Sequence, residues 1–216
     1  MKHLSSTILL ILIVSVAALA QSSRTDTALT AKQWDDLYSA LDGENWNAAE
    51  KLSSDYLKQV KTEDVDHSLA RLQYMYLYSA AGKVSEGVMS FDDLEKRIKE
   101  FVGKEVSLPY QNISANCRQG PRFNTICAGD DPARIMITAS NRAATTIHAF
   151  QYIQLKQKFD FAKNDGKIGS VTGTITSIVP NPNKSPFLVM RIYISDGVIE
   201  TKDHPAESSD PQFAAK

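Results

Sequence analysis

Near Gly103 the rhythm of apolar residues changes, and this change limits the folds open to the chain more than any other feature. Before it, apolar groups recur at every third or fourth position. Trp34, Leu37, Tyr38 and Leu41 fall on one helical face. Thr30 precedes them as an N-cap, with Gln33 at the capping-box position, and Gly43 is placed to stop the helix. Trp46, Ala49, Leu52, Tyr56 and Val60 define a second helix. Leu69, Leu72, Tyr76 and Ala80 define a third, expected to end near Gly82. Ser90 reads as the cap of a fourth stretch containing Phe91, Leu94, Ile98 and Phe101.

After Gly103 the alternation has period two. Lys104–Pro109, Phe123–Cys127, Arg134–Ala139, Ser170–Val179 and Phe187–Ile194 read as strands, rich in β-branched residues. Pro180–Pro186 has the composition of a loop. Asp196-Gly197 predicts a tight turn, with Val198-Ile199 as a short edge pair. Ala143–Phe161 suits either type. Thr146, His148, Phe150 and Tyr152 alternate as in a strand, whereas Ile147, Phe150, Gln151 and Gln154 would share a helical face; a strand over Thr145–Leu155 is the preferred reading. The expectation is an α+β protein. Antiparallel helical hairpins at 30–102 would pack on a small antiparallel β-barrel or sheet of about five strands at 103–201, joined rigidly at Gly103-Lys104. A flexible tail would follow at 202–216.

Both halves carry likenesses to known architectures. Trp34, Leu37, Gly43, Trp46 and Ala49, then Tyr78, Gly82, Val84, Gly87 and Phe91, resemble two tetratricopeptide (TPR) units. Tyr38 and Met75 stand where that family places a small residue, and its helix-ending Pro is absent. Phe101-Val-Gly-Lys-Glu-Val106 resembles the opening strand of an OB-fold. Gly166–Ile175 resembles the strand in which such barrels bend at glycine. The first likeness implies a protein-interaction surface, in which Tyr74, Tyr76 and Tyr78 either pack against the neighbouring unit, the preferred reading, or line the groove as partner contacts. The second implies a ligand-binding module.

Residues 1–20 have the form of an export signal. Lys2 and His3 open it, Ile8–Val14 is unbroken apolar sequence, and Ala18-Leu19-Ala20 offers a cleavage site before Gln21. The apolar core is shorter than the ~20 residues of a spanning helix, so a periplasmic or extracellular protein with no stable membrane span is expected. Residues 21–29 would be a disordered N-terminus. In an oxidising compartment Cys117 and Cys127 read as a disulfide, worth roughly 2–3 kcal/mol for so short a loop.

Charge is uneven. Residues 24–102 are net −5 and residues 103–216 net +3, a balance that disfavours a general nucleic-acid binder. No phosphate loop, paired-His zinc motif, nucleophile elbow or calcium loop is present, so neither catalytic residues nor metal nor cofactor is assigned. Asp130-Asp131-Pro132 and Ser195-Asp196-Gly197 read as turns. Asn112-Ile-Ser114 and Asn183-Lys-Ser185 fit the glycosylation sequon. His67, His148 and His204 are far apart in the chain. Arg118, Arg122, Arg134, Arg142 and Arg191 fall in the β half. Of these, Arg134 and Arg191, with Tyr193, are the candidate ligand contacts of an OB-like surface. The resulting expectation is an exported, non-enzymatic interaction or scaffold protein with a protein partner. The alternative is an OB-like module for an oligosaccharide, a peptide or an anionic polymer. A hydrolase would need a site built from distant residues, with His148 meeting a carboxylate.

Overall fold

The structure is a computed structural model that describes residues 29–60, 67–117, 125–129, 131 and 133–203. The leader at 1–20, Arg118, Arg122, Phe123, Asp130, Pro132, His204 and nearly all of the expected tail lie outside the described residues.

Four helices come first: α1 (Ala31–Asp42), α2 (Trp46–Gln59), α3 (Ser68–Ser85) and α4 (Phe91–Ile98). Local bonds set their starts. At α1 the Thr30 N–H donates to Gln33 Oε1 at 2.9 Å, and the Gln33 N–H donates back to Thr30 Oγ1, which satisfies two otherwise orphaned donors. Asn45 Oδ1 accepts from the Ala48 N–H and Ser90 Oγ from the Asp93 N–H, capping α2 and α4. Gly82 does not end α3, contrary to expectation. It lies inside the helix, where a Cβ would fall 2.2 Å from the Trp46 ring. Its glycine is needed for the close approach of α2 and α3 rather than for a stop. Glu50 on α2 ties the layer together: its carboxylate accepts from Lys83 Nζ on α3 at 2.7 Å and from Arg97 Nη1 on α4.

Seven strands follow: β1 (Glu105–Ser107), β2 (Gln111–Ser114), β3 (Thr125–Ala128), β4 (Arg134–Ser140), β5 (Ile147–Leu155), β6 (Ile168–Pro180) and β7 (Leu188–Lys202). They form one mixed sheet in the order β1-β6-β2-β3-β4-β5-β7. β6 and β7 also pair with each other, so the ladder returns on itself. β2–β3 and β5–β7 are parallel, and the other pairs are antiparallel.

The strand expectations need three corrections. The sheet is mixed, not antiparallel, and has seven strands rather than about five. β2, too short to show a period, was not foreseen. Asp196-Gly197 is not a hairpin turn: β7 runs through it to Lys202, pairing with β5 on one side and β6 on the other. Asp196 takes φ 57°, and the ladder shifts register here. A Cβ on Gly197 would lie 2.7 Å from Ile153 Cγ2, and one on Gly173 of β6 would lie 2.6 Å from Ile194 Cγ2. Two glycines facing across the β6–β7 pair let the sheet bend sharply at this point.

Alternate residues of the strands fill a shared core with the helices. Val106, Leu108, Ile113, Ile126, Ile135, Ile137, Ile153, Val171, Ile175, Ile192 and Ile194 form one continuous apolar cluster with Tyr74, Leu77, Ala81, Leu94, Ile98 and Phe101. A smaller cluster, including Leu37, Ala49, Tyr56, Leu72 and Met75, holds α1–α3 together. The helix–sheet junction is also hydrogen-bonded. Tyr78 Oη donates to Ser140 O at 2.8 Å, Gln151 Nε2 donates to Tyr74 Oη at 2.8 Å, and the Arg142 N–H donates to Glu44 Oε1 at 2.6 Å. Among the described residues no helix is long and apolar enough to cross a membrane.

Candidate functional site

β5 has the alternation of a strand with one buried face. Ala149, Gln151, Ile153 and Leu155 point into the core, and Phe150, Tyr152 and Gln154 point away from it. The parallel register of β5 with β7 sets Phe150 beside Arg191 and Tyr152 beside Tyr193. The antiparallel register with β4 sets Arg134 beside Gln154, Met136 beside Tyr152 and Thr138 beside Phe150. One outer face therefore carries two cross-strand rows, Phe150–Arg191 and Met136–Tyr152–Tyr193, with Arg134 and Gln154 at one end; Thr138, registered with Phe150, is fully buried and ends the first row. β6 extends the rows with Val179 opposite Arg191 and Ser177 opposite Tyr193.

The rings form a continuous ladder. Phe150 and Tyr152 have centroids 4.7 Å apart, and Tyr152 stacks on Tyr193 at 5.3 Å with planes 12° apart. Tyr152 is 36% exposed, and Phe187, just before β7, is 66% exposed. Arg134 donates through Nε to Gln154 Oε1 at 3.1 Å. Neither Arg134 nor Arg191 forms an ion pair among the described residues, and no residue registered along these rows is acidic. The face is thus a platform for flat groups with two guanidinium groups left for anions. Cys127 lies opposite Met136 in the β3–β4 register. Its disulfide to Cys117, with Cα atoms 5.8 Å apart, ties β3 to the residues that follow β2.

The three helical tyrosines lie elsewhere and do not share one surface. Tyr74 is 2% exposed and Tyr78 is half-buried; their rings stack at 6.2 Å. Burial holds the Tyr74 phenol far above its ordinary range, and burial, with Glu44 and Asp42 nearby, does the same at Tyr78. Tyr76 stacks on Phe101 at 5.4 Å on the opposite side of α3. Phe150 and Tyr152 were not singled out by sequence, although their alternation with buried residues was the available signal.

His148 is fully buried on the rim of this face, edge-on to Trp46 at 4.9 Å. Its Nε2 lies 3.0 Å from Ser85 Oγ, whose proton goes to Gly82 O at 2.7 Å. The imidazole therefore donates to the serine, the reverse of a base activating a nucleophile. Among the described residues Nδ1 has no partner and no carboxylate meets the ring, and burial pushes the pKa down to about 4. Among the described residues no three His, Cys, Asp or Glu side chains gather as a metal site. No protein-family model, curated protein or solved structure matches the chain.

Proposed function

We propose that this chain is an exported binding protein whose outer β4–β5–β7 face holds an acidic sugar polymer. The observation that carries the reading is the Phe150–Tyr152–Tyr193 ladder flanked by Arg134 and Arg191. Tyrosine faces stack on the apolar faces of sugar rings, and a guanidinium receives a carboxylate through paired hydrogen bonds. Two arginines suit a sparse charge, about one carboxylate per ring or fewer. The dense phosphates of nucleic acid call for more cations than this face offers. The export signal at residues 1–20 agrees with a ligand met outside the cytoplasm.

The pairing order also supports the OB-like reading of the β half. A ladder that returns on itself, with β5 parallel to β7 and β6 antiparallel to both β7 and β2, fits a small five-stranded barrel if β1 and β2, which pair successive parts of β6, count as one interrupted strand and β3 is an addition. In such barrels, ligands lie on the face made by the two strands that β4 and β5 would represent. On this reading the TPR-like hairpins are a support for the barrel, since their aromatic residues pack inward against it.

The test is a titration of the chain Gln21–Lys216 with oligogalacturonate, a neutral glucan oligomer and oligothymidylate. The acidic sugar should bind, with a log–log salt slope of magnitude no more than about 2. Tyr152→Ala with Tyr193→Ala should weaken binding by about 2–4 kcal/mol, and Arg191→Gln should flatten the salt dependence. Equal binding of the neutral glucan, or binding unchanged in the double variant, would refute the assignment.

A further inference from the structure

A second concavity, away from the outer face, lies at the helix–sheet junction. There a cleft of about 300 Å³ opens between α1, α3 and the segment that leads into β2. Its walls are aromatic, with Tyr38 from α1, Tyr74 and Tyr78 from α3, and Tyr110. The Tyr74 and Tyr78 hydroxyls are engaged by Gln151 and Ser140, so these residues offer the cleft ring surface. Asp42 also lines it, at the C-terminal end of α1, whose last turn carries no basic side chain. The partial negative charge of the helix end adds to that of the carboxylate. Gln111, 5% exposed, forms part of the wall, and its Oε1 has no hydrogen-bond donor among the described residues.

Two cations stand beside the cleft, and neither belongs to its lining. Arg142 donates through Nη1 to the Asp42 carbonyl oxygen at 3.2 Å. Lys202 Nζ sits 4.3 Å from the centroid of the Tyr110 ring, so one of these rings already serves as a platform for an ammonium group. Four tyrosine rings, the single carboxylate of Asp42 and an acceptor with no donor among the described residues are complementary to a positively charged guest with an apolar surface. Ring faces attract such a charge through their quadrupole. The volume is at the small end of ligand cavities, which limits the guest to about the size of a single amino acid.

We propose that this cleft binds a small organic ammonium ion, its carbon atoms against the tyrosine rings and its charge toward Asp42 and the end of α1. The site is separate from the outer face and stands or falls independently of the ligand proposed there. Calorimetric titration of the purified protein with choline, n-butylammonium and the neutral isostere 3,3-dimethylbutan-1-ol tests it. At least one ammonium ion should bind at millimolar concentration, roughly tenfold more tightly than the neutral isostere. Tyr110→Leu and Asp42→Asn should each weaken that binding, while an unchanged melting temperature serves as the control for a folded protein. Equal affinity for the neutral alcohol would overturn the proposal, as would the absence of saturable binding by either ammonium. Binding that survives both substitutions together would place the cation elsewhere and overturn it too.

Discussion

Lowering the pH from about 7.5 to about 5 should weaken the fold through His148 by about 2 kcal/mol. In the folded protein the ring is fully buried, and its pKa is pushed from the ordinary 6.5 down to about 4. Below pH 6.5 the unfolded chain takes up a proton that the native ring refuses. His148 therefore costs no stability above that pH, and the penalty grows as pH falls toward 4. The full loss, once both states are protonated, is about 3 kcal/mol at 1.36 kcal/mol per pKa unit. The structure supplies the reason: the second proton would sit on Nδ1, which has no acceptor among the described residues. The assay is urea unfolding of the wild-type protein and of His148→Gln across this window. Subtracting the two curves cancels the contributions of other groups that titrate there, so long as they do not couple to the site. The wild type should lose about 2 kcal/mol more than the variant, equivalent to roughly 4–8 °C in melting temperature. Parallel curves would refute the reasoning and mean that the ring takes up its proton without opening the junction.

Three further substitutions test the packing. Gly82→Ala gains helix propensity but places a methyl group against the Trp46 ring; a net loss of about 1–3 kcal/mol is expected by chemical denaturation. Glu50→Gln removes the charge shared by Lys83 and Arg97, and because Arg97 is partly solvated the loss should be nearer to about 2 kcal/mol than the value for a fully buried pair. Thermal melts with and without added salt should show a deficit in both conditions. Replacing Cys117 and Cys127 together by Ser should lower stability by about 2–3 kcal/mol, and a reducing agent should then shift the melting temperature of the wild type but not that of the variant.

Helix starts were legible because a cap is a local bond. Thr30 with Gln33, and Ser90 ahead of its helix, announce themselves within four residues of sequence. Gly82 was misread because glycine serves both as a stop and as a point of close approach. Only the position of Trp46 on the neighbouring helix decides between them. Asp196-Gly197 misled for a similar reason: a residue tolerating positive φ, followed by one without a Cβ, suits a hairpin turn and a bulge equally. The choice is made by β5 and β6, which hold the strand on both sides. The candidate face was half visible. Arg134, Arg191 and Tyr193 drew attention as residue types, and Phe150 and Tyr152 alternate with buried neighbours. Their union into one surface depends on the parallel β5–β7 register, a long-range pairing that no local pattern encodes.

The pairing of Ile168 with Lys202 has a temporal consequence. A chain that emerges N-terminus first, from a ribosome or through a secretion channel, can assemble its four helices early from neighbouring segments. It cannot finish the sheet, since β6 lacks its long partner until the last strand is out. Until then the glycine-bent strand and the apolar interior stay open to whatever surrounds them. The β half of the chain thus closes only when its final strand is available, whereas the helices do not wait for it.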